Sequence, residues 1–266
     1  MIDNLKITVL SENNTKKDTF LTEHGLSLLI EVAGKKILFD TGASDCFIKN
    51  AKQLDINLNS IDCIVLSHGH YDHVGGLHHL RNKKVFVHPH IFNQKYKLEN
   101  SKYKAIGFEF SKSYYENNNN LDFIEISENT NIDPEIKLIV NFKKTKNDRF
   151  FIRNKNIYVQ DSFTDEVAIT IKTTQGLVVI TGCSHSGIIN ILEEAINVNE
   201  ESNIYALLGG LHLSSLDELK TKEIANKINR YNIKNIGINH CTGNKLVKYL
   251  RDEKIIQFNC GDLYEI

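Results

Sequence analysis

The sequence predicts an α/β fold, a four-layer αββα sandwich of two mixed β-sheets, and three observations carry that prediction. Short apolar runs of strand length end repeatedly in a glycine-, cysteine- or histidine-bearing turn, in both halves of the chain. Segments of helical period alternate with those runs, as in layered α/β proteins. The 266 residues, 41% of them hydrophobic, are ample for a core of two packed sheets. Two β-rich halves whose turns converge on one edge give the sandwich, with a cleft between them. A single domain, residues 1–266, is expected.

In chain order, Leu5 to Leu10 reads as a strand and Ser11 to Thr22 as a polar loop. Leu26 to Val32 and Lys36 to Phe39 are strands joined at Ala33-Gly34, and the second runs into Asp40-Thr41-Gly42. Phe47, Ile48, Ala51 and Leu54 give Ser44 to Leu54 a helical spacing. A strand, Cys63 to Leu66, a short helix from Leu77, and a strand, Lys84 to Val87, follow; His88-Pro89-His90 reads as a turn. From about Ile91 to Asn156 the character changes. Aromatics (Tyr96, Tyr103, Phe108, Phe110, Tyr114, Tyr115) are scattered among Lys and Asn, with weak strand signals at Phe123 to Ile126 and Ile136 to Phe142. A coil of that length is improbable inside a compact domain, so 91–156 is expected to be an insertion lying over the site as a lid.

Order returns with Ile157 to Gln160 and the strands Val167 to Thr173 and Leu177 to Thr181. The helix Ile188 to Val198, the strand Ile204 to Leu208, the helix Leu216 to Tyr231, the strand Asn235 to Ile238, the helix Lys245 to Leu250 and a last strand, Ile255 to Phe258, complete the chain.

The chemistry is concentrated after Leu66. Ser67 is followed by His68, His70, Asp72 and His73, four potential ligands in six positions, and then by Gly75-Gly76. Imidazole and carboxylate suit zinc, iron or manganese, and no pair of thiolates lies nearby to close a structural zinc site. His68 and His70 point the same way in an extended segment, while Asp72 and His73 can diverge, so the stretch can serve two metals. Three later strands each end in a turn with one histidine: His185, His212 and His240. His185 and His240 are expected as further ligands, and His212 as a ligand or a substrate contact. Asp40 stands at a strand end either as a turn residue or as a group that orients a metal-bound imidazole.

The stretch His68-Gly69-His70-Tyr71-Asp72-His73 resembles the signature of the metallo-β-lactamase-fold superfamily. Glu23 to Ser27, Phe39 to Gly42, Ser67 to Leu77, Asp165 to Ile169, Thr181 to Ile188, Gly209 to Leu213 and His240 to Gly243 resemble one subfamily within it, named after the methanopterin-pathway dihydropterin aminobenzene-phosphate synthase. The resemblance implies two divalent cations, zinc foremost and iron or manganese otherwise, with Asp40 beside them. His68, His70 and His185 are expected at one cation and Asp72, His73 and His240 at the other, with Asp72 also orienting a water. One departure matters. Where the superfamily has a bridging aspartate in a Gly-Asp turn, this chain has Gly182-Cys183, so Cys183 or an acidic residue, Asp161, Asp165 or Glu166, is expected to bridge or to contact substrate.

The implied function is metal-dependent hydrolysis of an ester, phosphodiester or related bond in a small molecule. The alternatives are a transferase using a pterin diphosphate, as in the subfamily's namesake, and a non-catalytic ligand sensor. Thirty-two basic against thirty-three acidic residues leave a net charge of −1, so no nucleic-acid partner is expected. No apolar run reaches the length of a signal or membrane segment, and five cysteines without a C-x-x-C pair suit a reducing compartment; a cytoplasmic protein without a membrane partner is expected.

Overall fold

The computed structural model describes residues 1–145, 149–251 and 254–266. The first half contains β1 (Leu5–Ser11), β2 (Ser27–Val32), β3 (Lys35–Phe39), α1 (Cys46–Gln53), β4 (Cys63–Val65), α2 (Tyr71–Val74) and β5 (Lys84–Val87). A middle stretch adds β6 (Lys95–Glu99), β7 (Lys102–Ala105), α3 (Lys112–Asn119), β8 (Asp122–Glu125), β9 (Thr130–Asp133), β10 (Ile136–Ile139), β11 (Phe150–Asn154) and β12 (Ile157–Gln160). The second half has β13 (Ala168–Thr173), β14 (Gly176–Thr181), α4 (Ile188–Asn199), β15 (Ile204–Gly209), α5 (Glu218–Ile228), β16 (Asn235–Ile238) and β17 (Leu263–Glu265).

Strand alternation builds the four expected layers. Successive side chains point to opposite faces of a sheet. Leu28, Ile30, Ile37, Phe39 and Val65 therefore meet Ile169, Ile171, Val178, Ile180 and Leu208 between two sheets. Their alternates Leu29, Leu38 and Ile64 pack under Phe47 of α1 and Tyr115 of α3. On the far side Val179 and Leu207 pack under Ile191 and Ala195 of α4 and Ile228 of α5. Burial on both faces is why these strands read as unbroken apolar runs.

The first sheet has the order β17-β1-β2-β3-β4-β5-β8, the second β16-β15-β14-β13-β10-β9. Pairing direction gathers the functional turns. β3, β4 and β5 are mutually parallel, as are β14, β15 and β16. Their C-terminal ends deliver Asp40, Ser67, Cys183, His212 and His240 to one edge. The antiparallel β2 and β13 bring the residues that precede them, His24 and Asp161 to Glu166, to that edge too.

Some expected elements differ. The stretch 91–156 divides: β8 extends the first sheet and β9 and β10 the second, while β6, β7 and β11 join β12 in a separate four-stranded sheet, β12-β11-β6-β7. Most of its aromatics are also spoken for. Phe108, Phe110 and Tyr115 pack together beside the first sheet, and Tyr103 stacks on Tyr158. Ile255 to Phe258 is no strand, since Ile255 makes one bridge to Ile236 and Phe258 plugs the core; the closing strand is β17, three residues paired with β1. The helices expected from Leu77 and over Lys245 to Leu250 are single 3-10 turns. Among the described residues no helix is long and apolar enough to cross a membrane.

Candidate metal centre

Every imidazole that sequence spacing singled out for the first cation meets its partners. His68 Nε2 lies 3.0 Å from His70 Nδ1, and the His185 ring sits 4.8 Å from His68 and 4.9 Å from His70, centroid to centroid. Beside them His73 Nε2 is 3.1 Å from His240 Nε2, and Asp72 Oδ2 is 3.3 Å from His240 Nε2 and 3.8 Å from His73 Nε2. Ligands at 2.0–2.1 Å from a tetrahedral cation stand about 3.3 Å apart, so these spans are those of a ligand shell. Cys183 stands between the two sets. Its sulfur groups with His68 and His185 on one side and with His73 and His240 on the other, 3.2 Å from His73 Nε2. The position where a bridging aspartate was missing is thus filled by a thiol.

The outer nitrogens fix the inner ones. Asp40 accepts from the Ser67 amide and the Ser67 hydroxyl, each at 2.7 Å, and its Oδ2 lies 2.7 Å from His73 Nδ1. A carboxylate only accepts, so His73 carries a proton on Nδ1, and its Nε2 is the nitrogen that offers a lone pair once the imidazole is neutral. Having given its own proton to Asp40, the Ser67 hydroxyl at 2.9 Å must accept from His68 Nδ1, which leaves His68 Nε2 bare as well. Asn13 Oδ1, 2.9 Å from His240 Nδ1, does the same for His240. Three lone pairs therefore converge on one buried volume, as outer partners orient ligating imidazoles. His70 Nε2 and His185 Nε2 are buried with no hydrogen-bond partner, and burial holds both residues and His68 well below the usual histidine range, in the neutral form that binds metals. The donor set fits a divalent pair.

Two buried carboxylates hold the turns from behind. Glu166 accepts from the amides of His185 and Ser186, each at 2.6 Å, and Glu12 from the amide of His240 at 2.9 Å. Asp161 and Asp165, expected as possible bridges, are instead turned away. Lys95 Nζ binds Asp161 Oδ2 at 2.7 Å and Asp165 Oδ1 at 2.8 Å, and Asp165 Oδ2 accepts from the Gly69 amide at 2.8 Å. Burial favours such pairing because an isolated carboxylate there is costly. The same turn lays the Phe163 ring flat on His185, 3.9 Å away. Lys95→Met leaves two carboxylates without their cation and is expected to cost about 3–5 kcal/mol, read as a lowered urea midpoint.

One residue of the site was not singled out as a functional group in the sequence. His24 Nε2 lies 3.2 Å from Asp72 Oδ2 at the mouth of the centre, where its side chain is 57% exposed. His88 and His90 stay outside: His88 caps the turn that follows β5 and His90 meets Thr164. A cleft of about 450 Å³ opens over the centre, with His70, Asp72, Cys183, His185, His212 and His240 in its floor. Tyr71 and Phe150 line it, and the four-stranded sheet and its flank supply Lys97, Glu99, Lys104 and Arg149.

Without a cation the centre carries its own charge logic. Burial opposes protonation of His73, yet the Asp40 and Asp72 carboxylates outweigh it and lift its pKa to about 9. That value lies above the unfolded one, so the stability it contributes is complete below about pH 6.5 and is lost as pH rises through about 9. His68, His70 and His185 are displaced the other way by burial, so their share is lost as pH falls below about 6.5. Chelator-treated protein is expected to melt highest near pH 7 and lower on both sides. A melting temperature flat from pH 5 to 9 contradicts this.

The fold and the histidine centre define a class, and comparison with known proteins agrees. Residues 22–139 match the family model of the metallo-beta-lactamase superfamily. This chain belongs to the metallo-β-lactamase superfamily. Within it, the chain is 32% identical over 275 aligned positions to the 7,8-dihydropterin-6-methyl-4-(beta-D-ribofuranosyl)-aminobenzene-5'-phosphate synthase of Methanocaldococcus jannaschii, covering 95% of this chain and 92% of the relative. It also resembles the crystal structure of a metal-dependent hydrolase of the beta-lactamase superfamily, with a TM-score of 0.85 and 32% identity over 98% of this chain and 99% of the other. Zn(2+)-bound PqqB from Methylobacterium extorquens shares the fold at a TM-score of 0.60 and 10% identity, over 98% and 100% of the two chains.

Proposed function

We propose that this chain is a metal-dependent hydrolase that uses two divalent cations, zinc foremost, to attack an ester or phosphoester bond of a phosphate-bearing small molecule. The observation that carries the reading is the convergence of His68, His73 and His240 lone pairs beside the Asp72 carboxylate on the floor of an open cleft. His68, His70 and His185 would hold one cation and Asp72, His73 and His240 the other, with the Cys183 thiol beside both sets. Bound there, the cations supply Lewis acidity, lowering the pKa of a water toward about 7 and polarising the oxygen of the scissile bond.

The chain's own groups do the rest. Asp72 orients the attacking water, and His24, 3.2 Å from it and open to solvent, relays the proton outward. Phe150, in ring contact with His70, His185 and His212, shields the centre and offers a face for a substrate ring. Lys97, Lys104 and Arg149 outnumber Glu99 on the wall, an arrangement that suits a phosphate held away from the reacting bond. Replacing Lys104 by alanine is expected to raise KM roughly 10-fold with little change in kcat, as loss of one charge-assisted contact implies. Steady-state kinetics on a panel of phosphoesters, phosphodiesters and thioesters tests the reading; no turnover of any of them by metal-loaded protein counts against it.

A second reading is favoured by the 32% identity to the synthase over nearly the whole chain. In it an aromatic acceptor takes the place of water and a pterin diphosphate gives up pyrophosphate. Pyrophosphate release that requires the acceptor separates this reading from hydrolysis.

A further inference from the structure

The Gly209 to Leu213 and His240 to Gly243 phrases contribute more than one imidazole each. Cys183, His212 and Cys241 bring two sulfurs and a ring nitrogen within 4.8 Å of one another. Both thiols are buried and free. His212 Nδ1 is buried with no hydrogen-bond partner, although the chain around it is closely bonded.

The local backbone is shaped around the Cys241 sulfur. The amide of His212 donates to Cys241 Sγ at 3.2 Å, the interaction a thiolate accepts. Gly210 has to be glycine, because a Cβ there would collide with the Gly182 carbonyl oxygen and stand 2.8 Å from that sulfur. His212 itself sits in the left-handed region at φ +51°, an uncommon conformation that aims the ring toward His185, 4.2 Å away, and the sulfurs. Gly210 N to Gly182 O at 3.1 Å and Ser214 N to Cys241 O at 3.1 Å tie the three turns together. All three residues line the open cleft, so an ion can reach them from solvent.

We propose that Cys183, His212 and Cys241 form a third cation position, rich in thiolate, adjoining the imidazole and carboxylate pair. Two thiols each release a proton to the solvent as the ion enters, and the ring nitrogen supplies the third bond. Sulfur ligands select zinc, iron(II), cobalt(II) or copper(I) over manganese and magnesium. The position differs in chemistry from the six-ligand centre below it and shares only Cys183 with it.

Cobalt(II) titration of the chelator-stripped full chain, under anaerobic conditions with a phosphine reductant, tests this. The readouts are bound cobalt and the near-ultraviolet thiolate-to-cobalt charge-transfer band. Cys241→Ser and His212→Gln are each expected to bind one equivalent less than the parent, and Cys241→Ser to lose about half the band; Cys241→Ala serves if the serine variant does not fold. Manganese is expected to fill one position fewer than cobalt in the parent. Parent-like stoichiometry and band in both variants overturn the proposal. Asp72→Ala separates the two centres, since it is expected to lose an equivalent while keeping the share of the charge-transfer band that Cys241 supplies.

Discussion

Asp72→Ala is expected to lower kcat by roughly 10²–10⁴-fold, the range associated with losing a positioned acid–base group, while leaving the fold intact. The carboxylate faces His24 at 3.2 Å, His240 at 3.3 Å and His73 at 3.8 Å. Although burial works against its ionisation, His73 and the contacts from His24 and His240 outweigh that and keep the carboxyl well below the usual range. Its removal leaves His73 its other carboxylate, Asp40, at 2.7 Å. Circular dichroism should therefore match the parent, and metal analysis should find one cation fewer. Activity within a few-fold of the parent would remove Asp72 from the reaction.

Asp40→Asn is expected to do damage of a different kind. Asp40 accepts three hydrogen bonds, two from Ser67 and one from His73, and an amide cannot accept them all. If its nitrogen takes the Oδ2 position, it faces the His73 Nδ1 proton and the Ser67 hydroxyl. The imidazole then turns or changes tautomer, and the chain Asp40–Ser67–His68 that sets the His68 lone pair is broken too. Loss of such an outer partner commonly costs 10–100-fold in metal affinity, and breaking a buried pair about 3–5 kcal/mol of stability. Competition against a zinc indicator should show the weaker binding, and a lowered urea midpoint the lost stability. Equal affinity in Asp40→Asn and the parent contradicts the part given to Asp40.

Much of this was legible in the chain itself. Strand alternation buried on both faces made β2, β3, β4 and β14 readable as apolar runs, and the ligand cluster at the end of β4 announced itself by density. The resemblance set the turn at Asp40 beside the metals, and the structure puts Asp40 Oδ2 2.7 Å from His73 Nδ1. What escaped depends on contacts between distant segments. Asp161 and Asp165 look like ligands until Lys95, nearly seventy residues away in sequence, is seen between them. His24 sits in the Glu23 to Ser27 phrase but was given no role there, since only the antiparallel return of β2 carries it to Asp72. β8 and β10 showed only as weak strand signals at Phe123 to Ile126 and Ile136 to Phe142, and β9, an edge strand with no fully buried side chain, gave none. β17 was missed for its length, three residues with one buried side chain.

Anomalous diffraction from crystals of the zinc-loaded protein tests the central claim most directly. Two peaks are expected, one within bonding distance of His68, His70 and His185 and the other of Asp72, His73 and His240, apart from any ion held by the neighbouring thiols. Zinc-loaded crystals with no peak at either set, or with zinc bound only elsewhere on the chain, would contradict it.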